Sequence, residues 1–209
     1  MGISVSDSRL SQLARMIGEW HGLVAGSPDE LVADSLVLLD HLGDARTVVD
    51  VGSGGGLPGL PLRIARPELA VTLVESDQAK AAFLVQACAR LGLQDVEVVA
   101  RRAEDVGRDE RYRERFDAAV ARALAPLPVL AELCLPLVRV GGRLLAQKTE
   151  KEEVEAAMSA IATLGGSLEA VHAAPSAARG SGVVIEVAKV SSTPDSYPRR
   201  AGLPKRKPL

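Results

Sequence analysis

The fold is decided by the stretch TVVDVGSGGGLPG, residues 47–59. A short run rich in β-branched residues leads into a dense glycine turn, and LPLRIA over residues 60–65 can continue as a helix. This order predicts a strand, a tight loop and a helix. Glycines allow backbone dihedral angles closed to other residues and let a ligand approach the main chain. Unpaired N–H groups at the start of the helix favour a polar or anionic ligand.

The spacing of the glycines indicates which ligand is expected. A dinucleotide fingerprint needs G-x-G-x-x-G/A after the strand, and counting from Gly52 places Leu57 at the last position, which disfavours a nicotinamide dehydrogenase. The pattern present is D-x-G-x-G-x-G, which starts at Asp50 and includes Gly54. A second apolar run over residues 70–74 ends at Glu75, where an acid can accept hydrogen bonds from both ribose hydroxyls of a nucleoside. The alternative is an ordinary glycine-rich turn beside a surface acid.

The composition of the chain limits the classes of protein to which it can belong. The chain has 209 residues, of which 47% are hydrophobic and 25% charged, and it carries a formal net charge of −2. This suits a single soluble domain over residues 1–209, and no apolar run approaches the roughly 20 residues that span a bilayer. We expect Cys88 and Cys134 to be small buried hydrophobes of a reducing, cytoplasmic compartment. The three histidines show no ligand spacing, so the sequence predicts no metal site.

Charge is unevenly distributed along the chain. Residues 196–209 contain five basic side chains and no acids, whereas the remainder has a net charge of −7. The basic residues are Arg199, Arg200, Lys205, Arg206 and Lys207. A basic tail on an acidic body often contacts nucleic acid, although a solvated tail kept for solubility is the open alternative.

The first forty-odd residues are predicted to be helical. Apolar side chains recur with helical period over residues 6–23, with Ser6 or Asp7 as the N-cap and Trp20 and His21 on the apolar side. We expect Trp20 to be a core residue rather than a base-stacking platform. Ser27 can cap a second helix that extends to about residue 42. Residues 1–44 are thus a helical lead-in, 45–190 the core and 191–209 the tail.

The core alternates strands with helices. Predicted strands cover residues 47–51, 70–75, 96–99, 116–121, 143–147, 168–174 and 183–190, and predicted helices cover 60–65, 78–91, 126–137 and 150–164. Repeated βα units imply a mostly parallel sheet with helices on both faces, a Rossmann-like α/β fold. The connector over residues 175–182 is too short for a crossover, so the last two strands form an antiparallel hairpin.

Residues that could bind a ligand or a substrate follow four of the predicted strands. They are the glycine loop, Glu75, the pair Ala103-Glu104 and Arg122. Ligands of open parallel sheets lie at the carboxyl ends of the strands, so these residues are expected to meet at one site. Ala103 and Glu104 would flank an adenine, and Arg122 would orient a substrate or pair with a carboxylate. Taken singly, Glu104 could equally be an N-terminal helix charge and Arg122 a partner in a salt bridge.

These motifs resemble those of a known family. The D-x-G-x-G-x-G loop, the acid after the second strand and the terminal hairpin are similar to class I S-adenosylmethionine-dependent methyltransferases. GSGGGLPGLPL over residues 52–62, Arg102-Ala103-Glu104, Ala121-Arg122-Ala123 and the end of the chain from Tyr197 more closely resemble the small-subunit ribosomal RNA guanine-N7 methyltransferase family, RsmG or GidB.

The resemblance implies a cofactor, a substrate and a set of contacts. The cofactor is S-adenosylmethionine, and the substrate is N7 of a guanosine in the 530 loop of 16S rRNA in the small ribosomal subunit. Cofactor contacts fall at Gly52, Leu57, Ala103, Glu104 and Arg122, with Glu75 on the ribose. Asp50 and Gly54 of the same glycine motif are expected to join them as cofactor-binding residues.

The predicted chemistry needs no base. Guanine N7 has an exposed lone pair and no proton at neutral pH, so catalysis by positioning is sufficient. Arg122, Arg199 and Arg200 are candidates for holding RNA, and Lys148 is a weaker one. Two alternatives stay open: a small-molecule methyltransferase and a non-catalytic nucleotide-binding regulator. A monomer that acts away from the membrane is expected.

Overall fold

The structure, a computed structural model, describes residues 7–20 and 22–209. The sheet has seven strands in the order β3-β2-β1-β4-β5-β7-β6. Their bounds are β1 Thr47–Val51, β2 Ala70–Val74, β3 Val96–Val99, β4 Phe116–Arg122, β5 Val138–Thr149, β6 Gly166–Ala173 and β7 Gly182–Lys189. The first five strands pair in parallel, and β7 is antiparallel to both β5 and β6. The predicted parallel sheet with a terminal antiparallel hairpin is confirmed.

Helices lie on both faces of the sheet. They are α1 Ser8–Glu19, α2 Pro28–Ser35, α3 Gly59–Ala65, α4 Gln78–Leu91, α5 Ala103–Val106, α6 Leu127–Cys134, α7 Met158–Thr163 and α8 Leu203–Arg206. One apolar core joins the sheet to α1 through α4, and a second joins the opposite face to α5, α6 and α7. Among the residues described, no helix is long and apolar enough to cross a membrane.

The helices of the lead-in pack mainly against each other and against α3 and α4. Asp7 caps α1 by accepting the N–H of Arg9, and Ser27 caps α2 by accepting the N–H of Glu30. The alternative cap Ser6 and the apolar position His21 lie outside the described residues. After α2 the chain tightens into a 3₁₀ turn, Leu36–His41, instead of continuing as an α-helix.

Three local predictions need correction. Trp20 is not a core residue: it is 37% exposed and packs edge-on against Phe83, with ring centroids 5.4 Å apart. Cys134 is buried as expected, whereas Cys88 is only half-buried. The helix expected over residues 150–164 is reduced to a 3₁₀ turn, Glu155–Ala157, and the short α7, because residues 150–154 leave β5 in a loop.

Candidate active site

The glycine loop between β1 and α3 is fixed by the end of β2. The N–H groups of Gly52 and Ser53 both donate to the carbonyl of Val74, at 2.8 and 3.1 Å. Gly52 has φ +74°, and a Cβ at this position would lie 2.5 Å from Cδ1 of Leu124. The backbone conformation therefore favours glycine at position 52, and any larger residue would also have to displace the side chain of Leu124.

Asp50 holds the loop from beneath. Its side chain is fully buried, and Oδ2 accepts the N–H of Gly59 at 2.8 Å. Burial raises the pKa of Asp50 to about 7, against the opposing hydrogen bond from Gly59. Asp50 lines neither of the two recesses above the loop, and its hydrogen bond to Gly59 shapes the loop, so a direct cofactor contact at Asp50 stays a prediction.

The smaller recess, of about 270 Å³, lies beside the ends of β1, β2 and β3. Glu75 is buried at its edge, where Oε2 accepts the N–H of Gly54 at 2.9 Å and Oε1 accepts the N–H of Asp77 at 2.8 Å. A carboxylate has about four lone-pair sites, so each oxygen can accept a second hydrogen bond. The recess is lined by several predicted cofactor residues, namely Gly52, Gly54, Glu75, Ala103 and Glu104.

Glu104 lies in the first turn of α5 with a 2% exposed side chain. Its Oε1 accepts the N–H of Gly202 at 2.8 Å, and the guanidinium of Arg102 donates to both carboxylate oxygens. Burial would raise the pKa of Glu104, but these hydrogen bonds outweigh it and lower the pKa. Glu104 is thus a carboxylate that faces the recess while holding the C-terminal segment.

The larger recess, of about 530 Å³, opens on the other side of the same loop. Its walls include Gly52, Leu57, Arg122 and Lys148. The predicted strand-end residues are therefore divided between two recesses that share Gly52 and Gly54, because Glu75, Ala103 and Glu104 line only the smaller one. Arg122 ends β4 with an 11% exposed side chain, and its buried Nε has no hydrogen-bond partner within the described residues. Burial lowers the pKa of the Arg122 guanidinium, with Asp34 and Asp50 opposing the shift.

Lys148 is held at the rim by its neighbours. Its Nζ donates to the carbonyl of Ala125 and, at 2.8 Å, to Oε2 of Glu152. Lys80 lines both recesses, so cationic side chains from α4, β4 and β5 surround the glycine loop. This arrangement suits an anionic substrate.

An acid of the lead-in organises the larger recess, and the sequence did not reveal it. Asp34 is fully buried in α2 and accepts from Nε of Arg179 at 2.8 Å and from Oγ of Ser176 at 2.6 Å. Its Oδ2 lies 3.8 Å from Arg122, and its carbonyl accepts the amide N–H of Gln147 at 2.7 Å. No motif marks these residues, because a helix, a strand end and a hairpin connector come together only in the folded chain.

The C-terminal segment is docked rather than free. Arg199 binds Glu132 of α6: its N–H and Nε each lie 2.8 Å from Oε1, while the Glu132 side chain is fully buried. Arg113 donates to the carbonyls of Thr193 and Tyr197, at 2.7 and 2.8 Å. The guanidinium of Arg199 is thus engaged by Glu132 inside the protein, and RNA binding by Arg199 stays a prediction without support from this geometry.

The other predicted RNA-binding residues of the tail remain at the surface. Arg200 follows directly after Arg199, and Lys205, Arg206 and Lys207 lie in and after α8; all four are exposed. The hydrogen bond from Gly202 to Glu104 attaches the segment that carries them to the wall of the smaller recess.

The strand order, the single antiparallel strand and a glycine loop facing two recesses define a Rossmann-like class I methyltransferase fold. Among solved structures, the 1,6-didemethyltoxoflavin-N1-methyltransferase of Burkholderia thailandensis has a similar fold, with a TM-score of 0.61 at 18% identity. The match covers 86% of this chain and 88% of that one, whose structure holds S-adenosylhomocysteine.

Sequence comparison gives the family. A sequence profile described as rRNA small subunit methyltransferase G matches residues 24–180. The chain is 49% identical over 183 residues to a ribosomal RNA small subunit methyltransferase G of Pelotomaculum thermopropionicum, covering 84% of this chain and 76% of the relative. It is 43% identical over 222 residues to that of Roseiflexus sp. strain RS-1, covering 100% of this chain and 95% of the relative. The chain belongs to the rRNA small subunit methyltransferase G family.

Proposed function

We propose that this protein transfers a methyl group from S-adenosylmethionine to N7 of a guanosine in the 530 loop of 16S rRNA. The observation that carries the proposal is the pair of recesses that share one glycine loop. The smaller recess contains the buried carboxylates Glu75 and Glu104 beside several basic side chains. In the larger recess basic side chains outnumber the one acid, Glu152. A nucleoside cofactor on one side and an RNA base on the other would meet across the loop.

The residues of the smaller recess fit the cofactor. Glu75 has acceptor sites left for ribose hydroxyls, and the buried Glu104 carboxylate can accept from an exocyclic amine. Gly54 has φ +53°, and a Cβ there would meet only the carbonyl oxygen of Gly52, at 3.9 Å, so the loop leaves open space for a ligand. We propose cofactor contacts at Gly52, Gly54, Glu75, Ala103 and Glu104 of this recess, and at Leu57 and Arg122, which line the larger recess on the other side of the loop.

The cofactor supplies a methyl group activated by a sulfonium. The protein has to align guanine N7 with the methyl group and hold the two in that position. It needs no base, because guanine N7 loses no proton in the transfer. Arg122, held beside Asp34 at the end of β4, is a positioning residue in this account. Its guanidinium is suited to planar, hydrogen-bonding recognition of a base or a phosphate.

The docked tail supports RNA as the substrate. Its exposed cations would contact phosphates, which supply most of the sequence-independent affinity for RNA. We assign this role to Arg200, Lys205, Arg206 and Lys207. A tail kept only for solubility would not need a fully buried acid, Glu132, to hold it.

The proposal includes the setting of the reaction. We propose that the protein acts as a monomer in the cytoplasm, on the small ribosomal subunit or its 16S rRNA. Residues 1–44, 45–190 and 191–209 would serve as lead-in, cofactor-binding core and RNA-binding tail of one domain.

The test is transfer of labelled methyl to 16S rRNA and to small subunits that lack the modification. We expect label in RNA with the wild type, and strongly reduced label with Glu75→Gln, which keeps the size of the side chain but weakens its acceptors. Arg200→Ala should raise the RNA concentration needed for half-maximal transfer while leaving cofactor affinity unchanged. Turnover of a small molecule without RNA would favour the small-molecule alternative. Cofactor binding with no transfer to any RNA would favour the regulatory one.

A further inference from the structure

A second cluster of ligand-type side chains lies outside the two recesses. It consists of His41, His172 and Glu186, each half-buried, and one ligand atom from each lies within 4.8 Å of those from the other two. Nε2 of His172 is 3.0 Å from Oε2 of Glu186, and the two imidazole rings have centroids 4.4 Å apart. Three side chains from distant parts of the chain thus converge at one point.

The sheet fixes two members of this cluster. His172 of β6 is paired with Val184 of β7, which in turn is paired with Gln147 of β5. Residues paired in this way project from the same face of a sheet, so His172 lies on the face of Gln147, two strands further out or about 10 Å away. Gln147 bonds to Asp34 of the lead-in, and His41 ends the turn that follows Asp34.

The cluster offers a metal cation one carboxylate, that of Glu186, and two imidazoles. Burial lowers the pKa of His41, and the neighbouring His172 lowers it further, while Glu186 and Asp40 oppose the shift. Arg143 donates to Oε1 of Glu186 at 2.9 Å, which orients the carboxylate and leaves Oε2 on the side of the histidines. A metal-binding carboxylate is commonly held by such an outer hydrogen bond.

We propose that His41, His172 and Glu186 form a binding site for a borderline transition-metal dication, with Zn²⁺ as the fitting ion. Two imidazoles and one carboxylate are a recurrent zinc ligand set that leaves a coordination position open to water. Zinc bonds of about 2.0–2.2 Å would draw the three ligand atoms closer by roughly 1 Å, which half-buried side chains can accommodate.

The site would tie two remote parts of the chain together. His41 belongs to the lead-in, whereas His172 and Glu186 belong to the hairpin of β6 and β7. A bound ion would link the lead-in to the sheet beside Asp34. It would stabilise the folded state by an amount that rises with the logarithm of its affinity. The spacing of histidines in the sequence gave no signal for this site, because its ligands come from three separate elements.

The test is calorimetric titration of the untagged protein with ZnCl₂, without cofactor or RNA, and a parallel titration with MgCl₂. We expect one Zn²⁺ per chain, no saturable Mg²⁺ binding, and a higher melting temperature with Zn²⁺. His41→Gln and His172→Gln should each weaken Zn²⁺ binding by at least about tenfold. His21→Gln changes the remaining histidine and should bind Zn²⁺ as the wild type does.

Substitution of Co²⁺ provides an independent readout. Tetrahedral or five-coordinate Co²⁺ bound by two imidazoles should give a visible absorption band that is lost in His41→Gln. Absence of saturable Zn²⁺ binding, or unchanged affinity in His41→Gln, would overturn the site and leave a metal-free hydrogen-bonded cluster. Should His172→Gln fail to fold, His41→Gln alone decides the question, because His41 lies outside the sheet, at the end of the 3₁₀ turn Leu36–His41.

Discussion

The two adjacent tail arginines should behave differently when each is replaced by alanine. Arg199 is 19% exposed at its side chain, and it donates from its main-chain N–H and its guanidinium to a Glu132 carboxylate that is fully buried. Arg199→Ala leaves that carboxylate buried with only the main-chain donor. Breaking a buried pair in this way costs about 3 kcal/mol of unfolding free energy. Arg200 is exposed, so Arg200→Ala should change the unfolding free energy by less than about 0.5 kcal/mol.

Urea unfolding followed by circular dichroism measures the difference. For a chain of this length a loss of 3 kcal/mol lowers the melting temperature by roughly 6–12 °C. Arg200→Ala should instead weaken RNA binding and reduce its salt slope by about 0.7. Adding Glu132→Gln to each variant supplies the control, since it should couple to Arg199→Ala and add independently to Arg200→Ala. Equal denaturation midpoints for the two arginine variants would refute the reasoning.

Three further predictions concern the loop, its buried acid and the tail. Gly52→Ala should lower the free energy of unfolding more than Gly92→Ala does, because both glycines have positive φ but only at position 52 does a Cβ meet a neighbour, Leu124. Of the two variants, only Gly52→Ala should weaken the binding of S-adenosylhomocysteine, measured by calorimetry. Equal effects would contradict this. Because the pKa of Asp50 is raised to about 7, the folded state holds a proton that the unfolded chain releases near pH 4. The unfolding free energy therefore falls as pH rises from about 4 and levels off above about 7, by about 4 kcal/mol in total. In urea titrations at several pH values, the unfolding free energy of Asp50→Asn should not fall in this way. A pH profile identical to that of the wild type would exclude Asp50 as its cause. Replacing the three exposed tail residues Lys205, Arg206 and Lys207 together by neutral ones should lower the salt slope of RNA binding by about 2 without changing the melting temperature. An unchanged slope would exclude phosphate contacts by these residues.

Local signals in the sequence were sufficient for most of the sheet and its connections. The helix over residues 78–91 and the strand over 96–99 have the predicted bounds, because Asp77, Gly92 and the β-branched run mark them locally. Glycine spacing and acids at strand ends likewise predicted which residues meet in the smaller recess.

Features that depend on tertiary contacts were missed. Asp34 carries no motif, and its partner Arg179 lies in a connector whose only visible property was its length. Trp20 follows the helical period, but it lies just after the last residue of α1 and is 37% exposed there. Arg199 and Arg200 are equivalent by composition, and only the position of Glu132 in the folded chain separates their roles.

The most direct test of the central claim is to map the methylated atom. Unmodified 16S rRNA would be incubated with the protein and labelled S-adenosylmethionine, digested to nucleosides, and the label located by chromatography and by cleavage at N7-methylguanosine. The account predicts label in N7-methylguanosine alone, at one position in the 530 loop. Label on another atom or base, or RNA left unlabelled while the protein binds the cofactor, would contradict it.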